Sequence, residues 1–336
     1  MNKQILINDA TLRDGSHAVA HQISAHQIAI YAAAAEKSGV PIVEVGHGNG
    51  LGASSMQVGL SLEDDRTMLE TARKHLSNSK LGIHVIPGFA TIKRDLIPAL
   101  DIGVDVVRVA SHCTEADITQ RHLGFVREKG KEAFGVLMMS HMASASVLVE
   151  EAQKMDLYGA EGIIIMDSAG AYLPSDVEEK ISALVNGLKI PVGFHAHNNL
   201  GLAVANSITA IEYGAKILDG TARGFGAGAG NAQLEVLIAV LEKLGFFTGI
   251  DLNRILDASD IAEKELIPQI PVIKSESIVS GLSGVFSGFS KHVNRISKEY
   301  NLDARDIYRE LGKRKVVGGQ EDIIIEVALD LIKKNK

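Results

Sequence analysis

Cysteine is nearly absent from this sequence of 336 residues, and the lone Cys113 excludes an internal disulfide. Such sparse use of cysteine is typical of proteins in a reducing compartment. No apolar run approaches the roughly 18 residues of a membrane span, and the amino terminus lacks the apolar core of a signal peptide. The formal net charge of −7 argues against a nucleic-acid-binding surface. We therefore expect a globular cytoplasmic protein.

The sequence does contain a repeated pattern, in which a helix-like segment ends at a glycine and a β-branched run follows. Glycine past a helix end adopts the left-handed conformation that terminates helices. Short, continuous apolar runs are typical of parallel strands covered on both faces. The pattern occurs at Gly39, Gly103, Gly159 and Gly214, and we predict strands near residues 4–9, 42–46, 82–86, 104–110, 134–139, 162–167, 190–196 and 215–219.

Eight strand–helix units predict an α/β fold, with residues 1–249 forming a (β/α)8 TIM barrel. A doubly wound open sheet is the alternative, because periodicity alone does not distinguish the two. A capping box, Ser24 with Gln27, predicts the start of the first long helix. From residue 250 the strand pattern stops, and the remaining segments read as helices separated by proline and glycine. We expect residues 250–336 to form a C-terminal helical domain packed on the barrel.

Two histidines, His195 and His197, end the seventh predicted strand. Side chains alternate faces along a strand, so both imidazoles point the same way. Asp14 follows the first strand, which in a closed barrel is separated from the seventh only by the eighth. The sequence therefore predicts a facial site of two histidines and one carboxylate for Mn²⁺, Co²⁺, Fe²⁺ or Mg²⁺. Taken alone, the motif is equally consistent with two ordinary polar histidines at a loop mouth.

Two residues beside Asp14 are candidates for chemistry. Arg13 is permanently charged and could stabilise a developing oxyanion; the alternative is a salt bridge to Asp14 or Glu44. His17 could act as a general base near neutral pH, or it could be an ordinary loop histidine.

Other features of the sequence are less specific. Ser168 follows the sixth strand and could bind a carboxylate or cap a helix. Residues 224–231 (GFGAGAGN) do not fit the spacing of a nucleotide-binding loop, and we expect a tight turn beside the site. Cys113 has no signal for a nucleophile. Histidines near other strand ends, some of which we expect to line the pocket, are His47, His84, His112 and His141.

Lysine is missing from the predicted strand ends at residues 136–139 and 163–167, and Lys216 enters the eighth strand from its other end. An aldolase that forms a Schiff base needs a lysine in its barrel. Metal-assisted enolate chemistry is therefore favoured over imine chemistry.

Five motifs together carry a family resemblance. They are residues 11–17 (TLRDGSH), 44–48 (EVGHG), 138–142 (MMSHM), 195–199 (HAHNN) and 226–231 (GAGAGN). In combination they resemble the metal-dependent 4-hydroxy-2-oxovalerate aldolases, which belong with the isopropylmalate and homocitrate synthases and hydroxymethylglutaryl-CoA lyase. Residues 311–322 (LGKRKVVGGQED) resemble the aldolase branch, so the resemblance covers nearly the whole chain.

The resemblance implies roles for particular residues. It implies that Asp14, His195 and His197 bind a divalent metal, most often Mn²⁺, with Co²⁺ or Mg²⁺ as alternatives. It further implies that Arg13 stabilises an enolate and that His17 is the catalytic base. Substrate contacts are expected from Arg13, Ser168 and His195.

The implied reaction is cleavage of a 4-hydroxy-2-oxo acid to pyruvate and an aldehyde. The implied partner is an acylating acetaldehyde dehydrogenase that consumes the aldehyde. One departure concerns a catalytic tyrosine, which the family carries in a GVYSSF stretch. Here residues 284–289 read GVFSGF, so Phe286 replaces the phenol.

Two other functions remain open from the sequence. The first is a Claisen-type condensing enzyme or acyl-CoA lyase of the same superfamily. The synthases carry a GERxGN-type loop after strand eight, whereas residues 226–231 here lack its charged pair. The second is a regulatory or partner-binding subunit that has kept its metal site.

Overall fold

The computed structural model of the protein describes residues 3–334. Eight parallel strands pair in chain order, and the last pairs with the first, which closes a barrel. The strands are β1 Leu6–Asp9, β2 Ile42–Glu44, β3 Lys80–Val85, β4 Val106–His112, β5 Glu132–Met138, β6 Ile163–Asp167, β7 Val192–Ala196 and β8 Ile217–Gly220. Each overlaps a predicted strand. The (β/α)8 prediction is confirmed, and the open sheet is excluded.

Helices alternate with the strands and then continue alone beyond β8. They are α1 Gly15–Ala18, α2 Ala25–Ser38, α3 Asp65–Arg73, α4 Ile97–Ile102, α5 Gln120–Glu128, α6 Ala145–Leu157, α7 Pro174–Gly187, α8 Ala203–Glu212, α9 Leu234–Lys243, α10 Leu252–Glu265, α11 Ser275–Leu282, α12 Ser290–Tyr300, α13 Ala304–Arg314 and α14 Ile323–Lys334. Within residues 3–334, no helix combines the length and the apolar character needed to cross a bilayer.

The first long helix begins and ends as its sequence predicts. Ser24 Oγ accepts the backbone N–H of Gln27 at 3.3 Å, and the Gln27 side chain accepts the backbone N–H of Ser24 at 2.9 Å. Two donors that the helix leaves unpaired at its start are thereby satisfied. At the other end Gly39 has φ +79°, a left-handed conformation that costs glycine little. The chain can then turn directly into β2.

Strand register decides which side chains face the barrel interior. Asn8 pairs with Asp219, and His84 pairs with Arg108, so these polar residues form one layer toward the carboxyl ends of the strands. An apolar layer lies two residues earlier along several strands. Its buried members include Ile42, Val106, Phe134, Ile164 and Ile217. The interior is therefore apolar at its floor and charged beneath the loops that follow the strands.

The helices beyond the barrel divide by what they pack against. α10 lies on α2, and its residues Ile255, Ala258 and Ala262 share the barrel's main apolar core. The segment 285–328 surrounds a second core that includes Val285 and Phe289. The division of the chain at residue 250 stays a prediction.

Several hydrogen bonds join the helices around the second core to loops of the barrel. Ser287 N–H donates to the Ser168 carbonyl at 2.9 Å. His141 Nε2 donates to the Gly284 carbonyl, also at 2.9 Å. The appended helices are thereby tied to the face where the strands end.

Candidate metal centre and active site

Asp14, His195 and His197 come together at the carboxyl end of the barrel. One possible ligand atom from each lies within 4.8 Å of the others, and all three residues are buried. Asp14 Oδ2 is 3.7 Å from His195 Nε2. Within residues 3–334, His195 Nε2 and His197 Nδ1 have no hydrogen-bond partner. An unpartnered His195 nitrogen beside a carboxylate, with the His197 imidazole in the same cluster, fits a divalent metal ion.

Asp14 is held in place by the turn that follows β8. Its Oδ1 accepts the Ala227 N–H at 3.2 Å and Asn231 Nδ2 at 3.0 Å. A Cβ on Gly226 would lie 2.7 Å from Asp14 Oδ1 and 2.2 Å from Asn231 Nδ2, so a side chain cannot fit there. The glycine-rich residues 224–231 thus bring the backbone close to the carboxylate.

A chain of buried ion pairs connects His195 with Arg13. His195 Nδ1 donates to Asp219 Oδ2 at 2.8 Å, and Arg108 Nη2 donates to the same oxygen at 2.6 Å. Arg108 Nη1 donates to Glu44 Oε2 at 2.6 Å, and Glu44 Oε1 accepts Arg13 Nε at 3.2 Å. Since Asp219 accepts the Nδ1 proton of His195, the Nε2 lone pair is left free to bind a metal ion.

Arg13 forms ion pairs with both carboxylates that the sequence suggested. Its Nη1 lies 2.6 Å from Asp14 Oδ2, in addition to the Glu44 contact. Burial alone would raise the pKa of Asp14, but Arg13, His197 and His195 hold it well below its usual range. Arg13 Nη2 is buried and has no partner in the described part of the chain. A free guanidinium donor therefore lies next to an ionised carboxylate.

His17 belongs to a group of three histidine rings at the rim of the site. Its ring lies 5.1 Å from that of His21, which stacks on His47 at 3.6 Å. A Cβ on Gly48 would lie 2.4 Å from His17 Nε2, so the ring rests on bare backbone. Burial lowers the pKa of His17 to about 4, although the charge of Asp14 opposes this. The imidazole is therefore neutral near pH 7 and able to accept a proton.

Ser168 is buried just after β6. Its Oγ accepts the N–H of Met139, a residue with φ +54°, at 3.0 Å. The hydroxyl keeps its own proton for donation to another group. Nearby, the Tyr172 hydroxyl donates to Ser140 Oγ at 2.8 Å. Burial raises the pKa of Tyr172 well above its ordinary value, so this phenol supports the 140–142 turn in its neutral form.

Phe286 stands beside the turn at Ser287–Phe289, in contact with the rim of the site. Its ring packs edge-on against Phe289 with centroids 5.6 Å apart. A Cβ on Gly288 would lie 2.5 Å from Phe286 Cε1, so the phenyl ring occupies space beside a residue that has no side chain. Phe286 and His17 line the same cavity. Phe286 therefore presents an apolar wall to the proposed base.

Three cavities surround the buried cluster. The turn cavity, about 440 Å³, lies between Gly226, Ala227 and α12. The histidine cavity, about 520 Å³, is lined by His17 and His21. The apolar cavity, about 330 Å³, lies at the ends of β3 to β5 and includes Met138. Each gives access from solvent to one side of the rim.

The remaining predicted residues have separate positions. His84 Nδ1 lies 3.5 Å from Glu44 Oε1 in the barrel interior, and His112 lines the apolar cavity. His47 Nε2 donates to the Gly59 carbonyl at 3.1 Å. Cys113 is buried, and burial raises the pKa of its thiol to about 11, which leaves it unreactive.

Sequence reasoning missed Arg108, Asp219 and the Asn231 side chain. A signal for the first two was present, because each is a charged residue that directly follows apolar residues within its strand. A buried charge of this kind needs a partner, so several such residues in one barrel predict a network. Which residues pair could not be predicted without the strand register.

The closed barrel and its nitrogen–oxygen cluster define a (β/α)8 protein with a candidate metal centre at its carboxyl face. The HMGL-like family matches residues 4–262, and the DmpG-like communication domain matches residues 271–333. The chain is 65% identical over 327 residues to the 4-hydroxy-2-oxovalerate aldolase of Spirochaeta aurantia, covering 97% of this chain and 96% of that one. It therefore belongs to the HMGL-like family and, within it, to the 4-hydroxy-2-oxovalerate aldolases.

A second relative is the 4-hydroxy-2-oxovalerate aldolase of Pectobacterium atrosepticum, 63% identical over 336 residues, which cover 100% of this chain and 98% of the relative. Among solved structures, the carboxyl transferase domain of Rhizobium etli pyruvate carboxylase with pyruvate and biocytin is similar with a TM-score of 0.85. The alignment covers 99% of this chain and 61% of that one at 17% identity, so it supports the fold alone.

Proposed function

We propose that this protein is a divalent-metal-dependent pyruvate aldolase that cleaves 4-hydroxy-2-oxovalerate, or a closely related 4-hydroxy-2-oxo acid, to pyruvate and acetaldehyde. The observation that carries the proposal is the buried Asp14, His195 and His197 cluster beside the unpartnered Nη2 of Arg13. The names of the relatives support the substrate. The single cysteine supports a cytoplasmic location for the reaction.

Asp14, His195 and His197 would hold the metal, and we propose Mn²⁺, with Co²⁺ or Mg²⁺ as alternatives. When bound, the ion supplies Lewis-acid polarisation of the 2-keto group and a template for the adjoining carboxylate. The protein contributes a fixed orientation of His195, because Asp219 accepts its Nδ1–H.

His17 and Arg13 carry the proposed bond cleavage. A neutral His17 ring nitrogen takes the proton of the substrate's 4-hydroxyl, and the C3–C4 bond breaks to release the aldehyde. The electron pair of that bond passes into the pyruvate enolate, and Arg13 Nη2 donates a hydrogen bond to its oxyanion. A proton taken up at C3 then completes pyruvate. The buried position of Arg13 strengthens its interaction with the oxyanion.

Ser168 and His195 are the further proposed substrate contacts. The Ser168 hydroxyl can donate to the substrate carboxylate, since its oxygen already accepts from Met139 N–H. His195 lies at the cluster itself and would border the 2-oxo group. Both residues are buried, which supports a water-poor site around the enolate.

Residues 250–336 are proposed to complete the active site and to dock a partner. The match to a communication domain and the hydrogen bond from Ser287 to Ser168 support this. The proposed partner is an acylating acetaldehyde dehydrogenase, which would consume the released aldehyde. Co-purification from native lysate tests it, and a chain that runs alone at monomer size would contradict it.

The deciding experiment is a pyruvate-release assay on a panel of 4-hydroxy-2-oxo acids. Exhaustive chelation should remove activity, and Mn²⁺ should restore it more fully than Co²⁺ or Mg²⁺. Activity that survives chelation would contradict the metal's role. Metal binding without pyruvate release from any substrate would instead favour a regulatory subunit, and thiol release from acetyl-CoA with a 2-oxo acid would favour a condensing enzyme.

A further inference from the structure

The three candidate metal ligands are buried, so a substrate needs a route to them. Asp14, His195 and His197 are each at most 5% exposed. The turn cavity and the histidine cavity both reach His17, and they share only two other residues, Gly288 and Lys291. Lys291 is therefore the one cation, within residues 3–334, that lines both approaches to the proposed base.

Lys291 carries a charge that the protein does not neutralise. It is an exposed residue in the first turn of α12. Within the described part of the chain it forms no ion pair, and surrounding protein atoms lower the pKa of its ammonium by desolvation alone. A cation that is partly desolvated and has no carboxylate partner is suited to hold a passing anion.

The two approaches differ in the charges on their walls. The turn cavity has Lys274 in addition to Lys291, and one carboxylate, Glu276. Glu276 also faces α13, where its charge contributes to raising the pKa of Arg305. The turn cavity thus favours an anion.

The histidine cavity has Arg295 in addition to Lys291, and these are offset by Glu321 and Asp322. Two carboxylates on this wall repel a second anion. The turn cavity also includes Ala227, whose N–H donates to Asp14 Oδ1 at 3.2 Å, so its wall lies one hydrogen bond from the candidate metal ligands.

We propose that the turn cavity is the entrance for the anionic 2-oxo acid and that Lys291 is the residue at which its carboxylate first docks. The proposal rests on the proposed aldolase function. A chain with a net charge of −7 repels an anion over much of its surface, so a local pair of lysines guides the substrate to one opening. Charges at the rim of a site act mainly on association, not on the chemical step.

The test compares single-charge variants in the Mn²⁺-loaded full-length protein, with 4-hydroxy-2-oxovalerate as substrate. Lys291→Gln should raise KM about fivefold and leave kcat within a factor of two, because only encounter and docking are weakened. Lys274→Gln should raise KM by a smaller factor. Lys298→Gln, a matched change on the exposed side of α12, and Arg295→Gln in the histidine cavity should leave KM unchanged.

The dependence of kcat/KM on salt is a second measurement, which a purely structural role of Lys291 would not change. Raising ionic strength from roughly 0.05 to 0.5 M should lower kcat/KM of the wild type and should affect Lys291→Gln much less. Equal KM for wild type and Lys291→Gln would overturn docking at Lys291. A rise in KM for Arg295→Gln but not for Lys274→Gln would overturn the entrance. A wild type that releases no pyruvate would count against the proposed function, independently of Lys291.

Discussion

The polar interior of the barrel and the core of the appended helices are held together by opposite kinds of contact. In the barrel, the charged side chains of Arg13, Glu44, Arg108 and Asp219 are all buried and paired. In the appended unit, the helices around the second core at residues 285–328, the core is made of apolar residues such as Val285 and Phe289. Its ion pairs, for example Arg314 with Glu326, lie on the surface.

The difference shows what each region has to position. Directional, charged contacts orient ligand atoms, and burial makes each such contact strong but costly to break. Apolar packing fixes a backbone segment without specifying the direction of a polar atom. The appended helices contact the site mainly through two backbone groups, the Ser287 N–H and the Gly284 carbonyl, and through one neutral side chain, the Ser287 hydroxyl, which donates to Asn199 Oδ1 at 3.0 Å.

The largest expected effect lies at the end of the ion-pair chain, at Arg13. Arg13→Ala should lower kcat by roughly 10²–10³, the usual cost of removing one oxyanion donor. Arg13→Lys should restore little, because lysine lacks the planar fork that contacts Asp14 and Glu44. Steady-state pyruvate release measures both, with the exposed Arg66→Ala as control. A loss of kcat smaller than tenfold would contradict the assignment.

The second prediction concerns Arg108, in the middle of the chain of buried ion pairs. Arg108→Met leaves Asp219 buried without its arginine and Glu44 with Arg13 as its remaining arginine partner, which should destabilise the protein by about 3–5 kcal/mol. Loss of the group that fixes Asp219 should also weaken Mn²⁺ binding by roughly 10–100-fold. Titration calorimetry and thermal unfolding measure the two effects.

If Arg108→Met does not fold, Asp219→Asn keeps the shape and tests the same link to His195. Exposed Arg127 pairs with Glu161, so Arg127→Met is the matched control. Unchanged Mn²⁺ affinity in a folded variant of Arg108 or Asp219 would show that the buried ion pairs do not position His195.

A third prediction adds a polar group to the apolar wall that the appended unit contributes. Phe286→Tyr should raise kcat about tenfold and leave KM nearly unchanged, because a hydroxyl there can assist proton transfer. Control of configuration at C4 should tighten as well. Chiral analysis of the reverse aldol addition measures this. No gain would mean that another group supplies the proton or that the protein acts on a different aldehyde. The Tyr172 hydroxyl already donates to Ser140 Oγ. A loss would mean that the pocket is shaped around the phenyl ring.

The smallest effect concerns the dependence of stability on pH. Burial lowers the pKa of several histidines, to about 4 for His17, His47 and His141, about 3 for His84 and about 2 for His21. Below pH 6.5 the unfolded state therefore binds more protons than the folded state, and stability falls as pH falls from about 6.5 toward 4. Two buried carboxyls oppose this, because burial raises the pKa of Asp9 and Asp167 to about 6.

Within residues 3–334, nine histidines have a lowered pKa, whereas only four carboxyls have a raised one. The melting temperature of the metal-free protein should therefore drop steadily between pH 7 and pH 5. Differential scanning calorimetry across this range measures it. A melting temperature that is flat or rises toward pH 5 would contradict the burial of these histidines.

The sequence alone determined the eight strand–helix units and which residues form the candidate metal site, whereas the closure of the sheet into a barrel was settled by the structure. Glycine-terminated helices alternating with apolar runs are local patterns, and their order leaves few ways to close a parallel sheet. The cluster followed because His195 and His197 share a strand face and Asp14 ends a nearby strand. Both arguments depend on short-range geometry that the chain itself encodes.

Only the tertiary structure decided which distant side chains meet. Arg108 contacts Glu44 and Asp219, residues 64 and 111 positions away, because the barrel register places three strands around one point. The position of the Phe286 ring beside Gly288, over the cavity that contains His17, likewise depends on how the appended unit packs. Such contacts depend on the closure of the whole sheet and on packing between separate cores. No local pattern of residues specifies them.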